Sequence, residues 1–304
     1  MKIIVTGGAG FVGSHLIELL VEKKHYPIII DNLNSGLYSN IKKFVDSKKA
    51  KFIKCDIRNS KKIMQLPKSD AVIHLAAIAS VVESINNPVF VNDVNVNGTL
   101  NILEFCRKKK IKKFVFTSSA AIYGNYENKI SETSPTIPST VYGSTKLTGE
   151  QYCRIYSDLF GINITILRPF NIYGPRQNDT YAGVISKFID RFNENKSPII
   201  YGNGKQTRDF IHVEDVIQAF YSALKFDKKK FGFYNLATGK STSINELAKI
   251  FLLATKKSKL KPIHKKPIPG VVVFNSTVPN KLKQDLNFKS TIRLQDGIKK
   301  FVTS

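Results

Sequence analysis

The sequence predicts an α/β fold built on a doubly wound parallel sheet, and three observations support this prediction. Short β-branched apolar runs alternate with longer amphipathic stretches through the first half of the chain, which is typical of successive βαβ units. The predicted strands are nearly continuous apolar runs, as at residues 28–30, which is expected where both faces of a sheet are buried. A glycine-rich turn, from Gly7 to Gly13, stands directly between the first predicted strand and the first predicted helix.

The elements follow one another in a regular order. Strands are predicted at residues 2–6, 27–31, 51–54, 71–75, 113–118 and 163–168. Helices between them are predicted at residues 12–24, 92–108 and 144–160. After residue 168, proline and glycine interrupt this rhythm, and helical patterns resume at residues 213–224 and 244–254. We therefore predict a first domain of residues 1–168 and a smaller, mixed α/β substrate domain of residues 169–304, with a segment near residues 209–238 returning to the first domain.

The composition is that of a globular protein. Hydrophobic residues make up 42% and charged residues 23% of the 304 residues, which excludes a disordered or fibrous chain. The net charge of +24 includes basic clusters at residues 107–110, 228–230 and 256–257. These clusters follow predicted helices, where lysine suits the C-terminal end, and they lack the interleaved aromatic residues of a nucleic-acid platform. We therefore expect a solvated basic surface and no nucleic-acid partner; a polyanion partner is the alternative.

The three cysteines, Cys55, Cys106 and Cys153, are too few and too scattered for a disulfide framework or a metal site. We expect them to be buried thiols in a reducing compartment. The first residues lead into the glycine-rich turn without a secretory segment, and no apolar run is long enough to cross a bilayer. The expectation is a cytoplasmic protein without membrane association.

The glycine-rich turn predicts a dinucleotide site. Gly7, Gly10 and Gly13 permit a tight turn, let the backbone approach a pyrophosphate, and allow the helix to pack closely on the sheet. The helix N-terminus, around Phe11 and Val12, would face the phosphate charge.

Acidic and small residues end the neighbouring strands. Asp31, followed by Asn32, closes the second strand, where its carboxylate can accept hydrogen bonds from both hydroxyls of an adenosine ribose. Because that carboxylate would repel a 2′-phosphate, NAD is favoured over NADP; a solvated loop acid is the alternative. Two more clusters end strands at the same sheet edge and would lie against the cofactor: Asp56, Ile57, Leu75, Ala76 and Ala77. His74, at the end of a buried strand, is interpreted as structural.

Tyr142 and Lys146 stand four residues apart and therefore share one face of a helix. A phenol with a pKa of about 10 is a weak base at neutral pH, but a neighbouring cation lowers that pKa and makes proton abstraction feasible. Ser119, at the close of a strand, could hydrogen-bond both Tyr142 and a substrate oxygen. The alternative is that the serines in this segment only cap a loop.

Together these motifs resemble the extended short-chain dehydrogenase/reductase superfamily. Within its NAD-dependent epimerase/dehydratase family, the likeness is nearest to the UDP-glucose 4-epimerases and their UDP-N-acetylhexosamine and UDP-uronate relatives, and it extends to about residue 245. The resemblance implies a Rossmann-type fold, bound NAD, and a homodimer formed by helices at residues 91–108 and 144–160. It implies that Tyr142 is the base, that Lys146 lowers its pKa and holds the nicotinamide ribose, and that Ser119 orients the sugar hydroxyl. It also implies cofactor contacts from Asn97 and Phe170, and substrate contacts from Asn171, Val184, Tyr201 and Arg208.

Departures from the family pattern bear on the reaction. Ala120 and Ala121 stand where the family's dehydratases and decarboxylases carry acids, which favours epimerisation. The family's Arg-x-Gly-Asp segment has only an uncharged counterpart at residues 268–271, and a family lysine near the cofactor is replaced at Ala79.

We therefore predict a nucleotide-sugar 4-epimerase of the UDP-glucose/UDP-galactose type, acting on a nucleotide-diphosphate sugar through a transient 4-keto sugar. The alternatives are a related oxidoreductase or epimerase with another sugar or nucleotide, and a non-catalytic NAD-binding regulator.

Overall fold

The computed structural model of the chain describes residues 1–126, 129–177, 183–228, 230–267 and 276–303. The strands are β1 (Lys2–Thr6), β2 (Tyr26–Asp31), β3 (Lys51–Lys54), β4 (Ala71–His74), β5 (Lys113–Thr117), β6 (Asn163–Pro169), β7 (Asn171–Tyr173), β8 (Ile199–Tyr201), β9 (Thr207–His212), β10 (Phe231–Leu236), β11 (Ser241–Ser243) and β12 (Ile263–Lys265). The helices are α1 (Phe11–Glu22), α2 (Lys42–Asp46), α3 (Ser60–Met64), α4 (Val81–Asn86), α5 (Pro88–Asn92), α6 (Gly98–Lys108), α7 (Val141–Phe160), α8 (Val184–Asn193), α9 (Val213–Lys225), α10 (Ile244–Ala254), α11 (Asn280–Leu286) and α12 (Leu294–Thr303). Two 3₁₀ turns span Tyr38–Asn40 and Ala120–Tyr123, and one π-helical turn spans Asp93–Asn97.

Seven strands form one parallel sheet in the order β10-β6-β5-β4-β1-β2-β3. This confirms the predicted doubly wound α/β fold. From β1 the chain moves outward to β2 and β3, then returns to the other side of β1 with β4. The carboxyl ends of β1 and β4 therefore flank the switch point, where folds of this class bind their ligands.

Both faces of the large sheet are buried. Ile3 and Val5 of β1 pack with α1 and α9, whereas Ile4, which alternates between them, packs with the cluster that contains α6 and α7. Successive strand residues point to opposite faces, so a strand covered on both sides needs apolar residues at every position. This explains the continuous apolar runs in the sequence.

The prediction of a single helix at residues 92–108 is wrong in one respect, because a π-helical turn divides α5 from α6. The wider turn changes which side chains face inward: Asn95 is buried, whereas Asn97 is exposed. Gly98 begins α6 against Ile57, where a methyl group on Gly98 would overlap the Ile57 side chain.

The later part of the chain builds a smaller layer of two short sheets, β11-β9-β7 and β12-β8. Aromatic residues of α8 and α10 form its core, including Phe188, Phe192 and Phe251. Between these elements, α9 packs on α1 and β10 pairs with β6 of the large sheet. The later half of the chain thus contributes to both layers.

All three cysteines are buried and unpaired. Within the described ranges, no helix is both long enough and apolar enough to span a membrane.

Candidate active site

A cleft of about 420 Å³ opens at the carboxyl ends of the central strands. Most of the residues predicted to bind cofactor or substrate line it: Gly7, Gly10, Phe11, Val12, Gly13, Asp31, Asn32, Asp56, Ile57, Leu75, Ala76, Ala77, Ser119, Tyr142, Lys146, Phe170 and Asn171. These residues come from the ends of β1 to β6, from β7 and from the starts of α1 and α7, so the sheet topology brings them together.

The glycine-rich turn forms a cradle that only glycine can build. Gly7 adopts the left-handed region, with φ of 69°, and a methyl group there would lie 2.8 Å from the backbone nitrogen of Ala76. A methyl group on Gly13 would overlap the carbonyl oxygen of Gly7. Gly10 caps α1 without a side-chain hydrogen bond, so first-turn amides of the helix are available to an anion. The cradle therefore fits a pyrophosphate.

Asp31 lies at the edge of the cleft in a held conformation. Its carboxylate accepts hydrogen bonds from the backbone nitrogens of Ala9, at 3.0 Å, and Leu33, at 2.8 Å. Burial raises the pKa of Asp31, although these two hydrogen bonds act in the opposite direction. A carboxylate placed here suits the hydroxyls of a ribose next to the pyrophosphate.

Asp56 is fixed mainly by Arg58, a residue that no sequence pattern marked as part of the site. Arg58 donates three hydrogen bonds to its carboxylate, two from the guanidinium group at 3.0 and 2.8 Å and one from the backbone nitrogen at 2.9 Å, and Asn32 donates a fourth at 3.1 Å. The Arg58 hydrogen bonds lower the pKa of Asp56 to about 2. Arg58 also pairs with Asp93 and lies over the ring of Phe90, so it joins this end of the cleft to the π-helical turn.

Helix α7 carries the predicted base and cation. Thr140 caps it by accepting a hydrogen bond from the backbone nitrogen of Gly143, which places Tyr142 in the first turn and Lys146 one turn later. Tyr142 is 9% exposed and Lys146 is 4% exposed. Gly143 lets the helix approach the turn after Ser119, because a methyl group there would lie 2.6 Å from the carbonyl oxygen of Ala121.

Lys146 donates a hydrogen bond from Nζ to the carbonyl oxygen of Thr117, at 2.9 Å. Burial lowers the pKa of Lys146 to about 8. The ammonium group therefore keeps its proton at neutral pH, where it can stabilise a neighbouring phenolate.

Ser119 caps the 3₁₀ turn that follows β5, and its Oγ accepts a hydrogen bond from the backbone nitrogen of Ala121 at 3.1 Å. This capping accords with the alternative interpretation, yet Ser119 also lines the cleft together with Tyr142. The next residue upstream, Ser118, lines the cleft too, and its buried Oγ has no hydrogen-bond partner among the described residues.

The expectation for Asn97 requires correction. Asn97 is exposed, does not line the cleft, and donates its hydrogen bond to Asp93. The buried Asn95 instead bonds to both backbone groups of Ile78, at 2.8 and 3.1 Å, and to Thr145 Oγ1 at 3.0 Å. It joins the loop after β4 to α7. The sequence holds two similar asparagines two residues apart, and the π-helical turn decides which one faces inward.

Three residues assigned to the substrate lie outside the lining of the cleft: Val184, Tyr201 and Arg208. Val184 begins α8 beside Gly183, which does line the cleft, and Tyr201 is 38% exposed on β8. Arg208 on β9 is half-buried, and within the described part of the chain its side chain donates a hydrogen bond only to the carbonyl oxygen of Thr207. Burial lowers its pKa, and no described carboxylate pairs with it.

Asn171 connects the cleft to the smaller layer. It lines the cleft, and its amide donates a hydrogen bond to the carbonyl oxygen of Asp209 at 2.9 Å. Gln177 also lines the cleft, and its buried Oε1 has no partner among the described residues. The segment at residues 268–271, which the sequence analysis compared with a charged family segment, lies outside the described residues.

His74 is held between two hydroxyls behind the cleft, Thr6 Oγ1 at 2.6 Å and Thr99 Oγ1 at 3.0 Å. Burial lowers its pKa to about 3, so it is neutral and serves as a packing element. Among the described residues, no cluster of histidine, cysteine, aspartate or glutamate could hold a metal ion.

Comparisons with known proteins agree with this geometry. A family model described as the NAD dependent epimerase/dehydratase family matches residues 3–237. A protein of Methanocaldococcus jannaschii with the provisional name UDP-glucose 4-epimerase is 43% identical, over 99% of this chain and 97% of its own length. The crystal structure of UDP-glucose 4-epimerase from Thermotoga maritima, with UDP-glucose, is similar with a TM-score of 0.94 and 34% identity, over 100% of this chain and 98% of its own. UDP-N-acetylglucosamine 4-epimerase from Methanobrevibacter ruminantium, in complex with UDP-N-acetylmuramic acid, has a TM-score of 0.93 and 33% identity, over 99% of this chain and 97% of its own.

Proposed function

Because the chain belongs to the NAD-dependent epimerase/dehydratase family, we propose that it is a nucleotide-sugar 4-epimerase of the UDP-glucose/UDP-galactose type. The observation that carries the proposal is that Ser119, Tyr142 and Lys146 line the same cleft as the glycine cradle. Support for the substrate comes from the names of similar proteins, since the relatives from M. jannaschii and T. maritima are both named for UDP-glucose.

NAD is the cofactor of this family, and the cleft fits it. The turn from Gly7 to Gly13 and the first turn of α1 would hold the pyrophosphate, and Asp31 would hold the adenosine ribose. When bound, NAD takes a hydride from the sugar and returns it.

The chain's own residues move the proton. As the C4 hydrogen leaves as hydride, Tyr142 accepts the proton of the 4-hydroxyl, and the sugar becomes a 4-keto sugar. Lys146 stabilises the phenolate before this step, and Ser119 holds O4 by a hydrogen bond. After the keto sugar has turned its opposite face to the cofactor, Tyr142 gives the proton back to O4. The sugar is neither oxidised nor reduced overall.

The residues after Ser119 favour epimerisation over elimination. Dehydration and decarboxylation need a further acid or base beside the keto sugar, but Ala120 and Ala121 offer none at this turn. Asn171 and Arg208 are the groups we assign to the diphosphate. A half-buried guanidinium without a carboxylate partner among the described residues is suited to a phosphate group.

The proposal is tested by incubating the NAD-loaded protein separately with UDP-galactose, UDP-N-acetylgalactosamine and UDP-galacturonate, and separating the epimers by chromatography. We expect conversion of UDP-galactose, and a loss of about 10²- to 10⁴-fold in kcat for Tyr142→Phe, which removes the proton acceptor. Conversion of only one of the other two UDP-sugars would make that UDP-sugar, and not UDP-galactose, the substrate of the enzyme. Net release of NADH would indicate an oxidoreductase, and binding of NAD without any turnover would indicate a regulator.

We also propose a homodimer. Exposed apolar side chains lie on α4, α5 and α7, three helices that contact one another, and they are Val82, Ile85, Val89, Ile155 and Leu159. Val89 is 82% exposed, and we infer that these side chains form an apolar patch, a feature that typically marks an interface. We expect Leu159→Lys to shift the sedimentation of the protein toward the monomer, whereas Leu253→Lys, an equally exposed position on α10, leaves it unchanged. An unaltered Leu159→Lys dimer would place the interface elsewhere.

Two further assignments are part of this proposal. Residues 1–168, joined by α9 and β10, form the NAD-binding domain, and the remaining elements form the substrate domain. The unpaired cysteines fit a reducing compartment, and we assign the protein to the cytoplasm.

A further inference from the structure

A buried ion pair lies behind the face of α7 that enters the cleft. Glu150 accepts two hydrogen bonds from Arg168, at 2.9 and 2.6 Å, and the two residues are 6% and 4% exposed. Glu150 lies one turn beyond Lys146, which itself lies one turn beyond Tyr142. The phenol, the ammonium group and this carboxylate therefore follow one another along one side of the helix.

The pair connects every element that carries a reacting side chain. Arg168 lies at the end of β6, two residues before Phe170 in the cleft wall. Its Nη1 also donates a hydrogen bond to the hydroxyl of Tyr123 at 2.7 Å, and Tyr123 ends the 3₁₀ turn that begins after Ser119. Tyr123 in turn donates to Asn235 Oδ1 on β10 at 2.8 Å. One guanidinium group thus fixes α7, the end of β6 and the Ser119 turn relative to one another.

Stability alone does not account for this pair. Removing two charges from water costs nearly as much as their attraction returns, and apolar side chains of similar volume often stabilise a protein as well or better. What an apolar pair cannot reproduce is the bidentate geometry, which fixes direction as well as distance.

We propose that Glu150 and Arg168 are positioning residues, which hold Tyr142, Lys146 and Ser119 in register for proton transfer. This assignment rests on the proposed function, because it takes those three residues as the reacting and orienting groups. Neither Glu150 nor Arg168 lines the cleft, so neither touches substrate or cofactor.

The charges around Lys146 provide a readout that packing alone would not change. Burial lowers the pKa of Lys146, whereas negative charge on Cys153 or on the Glu150 carboxylate raises it. Besides Tyr142, the proposed base one turn before it, Lys146 faces two titratable groups among the described residues, Cys153 on the same helix and His74 on β4. Burial keeps both of them neutral near pH 7, because it raises the pKa of the Cys153 thiol and lowers that of His74. Glu150 is therefore the carboxylate that helps Lys146 to keep its proton.

The test compares the NAD-loaded protein with Glu150→Gln and with the double variant Glu150→Met/Arg168→Met, using UDP-galactose as substrate. The double variant removes both charges and keeps apolar volume, so folding is expected to persist. Its matched control is Arg154→Met/Asp158→Met, which removes an exposed ion pair on the same helix. We expect kcat of the buried double variant to fall about tenfold or more with KM within about twofold, because small misplacements of reacting groups are costly. The control should retain the kcat of the unaltered protein.

For Glu150→Gln we expect the alkaline limb of the kcat profile to move to lower pH, because Lys146 loses its proton more readily. An unchanged kcat in the folded, NAD-loaded buried double variant would overturn the assignment, as would an unmoved alkaline limb in Glu150→Gln. If the unaltered protein converts none of the sugars, the proposed function fails and this assignment falls with it. Activity in the unaltered protein with no difference in the variants overturns the positioning role alone.

Discussion

The two sides of the cleft are built in different ways. The cofactor side is made largely of backbone: a glycine turn held between two central strands, where added methyl groups would overlap other atoms. The side that we assign to the substrate contains side chains on short strands, such as Asn171 on β7, which has three residues. Beyond the cleft lining, Tyr201 on the three-residue β8 is 38% exposed, and no heavy atom of the described residues lies within 4 Å of a methyl group added to Gly183.

This difference suggests how one fold can serve several sugars. A backbone cradle inside a close-packed sheet tolerates little change, because its neighbours cannot move independently. Side chains on short surface strands can be exchanged without disturbing the sheet. The chemistry and cofactor then stay constant while the substrate changes, which agrees with the different sugars named for the similar structures.

We expect the largest difference between the two sides when one methyl group is added to a glycine on each side. Gly13→Ala should weaken NAD retention by roughly 10- to 100-fold, since overpacking against a backbone carbonyl costs about 1–3 kcal/mol. Gly183→Ala, on the substrate side, should retain NAD as the unaltered protein does. Bound NAD, measured after gel filtration, checks both. Equal retention in the two variants would show that the cradle is not as rigid as its geometry indicates.

Next in size is the loss of the guanidinium group of Arg208, which pairs with no carboxylate among the described residues. Arg208→Met should raise KM for the UDP-sugar by about tenfold or more without loss of bound NAD, because a charged hydrogen bond contributes about 1.5–3 kcal/mol. Lys205→Met, which removes an exposed cation nearby in sequence, is the control. Steady-state kinetics measures KM for both variants. An equal rise in KM for Arg208→Met and Lys205→Met would show that Arg208 contributes only to the general positive charge of this surface.

The cofactor side contains a buried cation, Lys146, which lowers the free energy of unfolding at neutral pH. Its folded pKa, about 8, lies below the ordinary lysine value of 10.5, so the folded apo protein binds fewer protons than the unfolded chain between these pH values. Its contribution to the free energy of unfolding therefore rises with pH across this window. Lys146→Met should raise that free energy at pH 7 by on the order of 1–2 kcal/mol, and the difference should shrink toward pH 10. Urea unfolding at several pH values checks this, and a pH-independent difference would contradict it.

The smallest expected effect is a difference in the free energy of unfolding between variants of two neighbouring asparagines, Asn95 and Asn97. Asn95→Ala should lower the free energy of unfolding by about 1–2 kcal/mol, because it leaves buried backbone groups of Ile78 without partners. Asn97→Ala should change it by less than about 0.5 kcal/mol, as is usual for an exposed site. Thermal unfolding of the two variants compares them directly. If Asn97→Ala lowered the free energy of unfolding more than Asn95→Ala, Asn97 and not Asn95 would be the asparagine that faces inward from the π-helical turn.

The same contrast explains how much could be predicted from the sequence. The βαβ rhythm and the glycine turn predict local backbone geometry, and parallel strands bring their carboxyl ends to one edge of the sheet. The sheet, and the residues from Gly7 to Ala77 that line the cleft, could therefore be predicted from the sequence. Asn97 was misplaced because nothing in the sequence marks a π-helical turn. Glu150 and Arg168 were missed because a lone acid and a lone arginine carry no spacing signal until the fold brings them together. Tyr201 and Arg208 depended on resemblance, and the cleft lining does not include them.

The central claim is that the sugar is oxidised and reduced again at C4 within one cleft. Its most direct test is the conversion of UDP-galactose that carries deuterium at C4, in ordinary water, with the product examined by mass spectrometry and NMR. The account predicts UDP-glucose that retains deuterium at C4, with no net NADH, because the hydride never exchanges with solvent. Loss of the label to water, or accumulation of NADH in step with product, would contradict it.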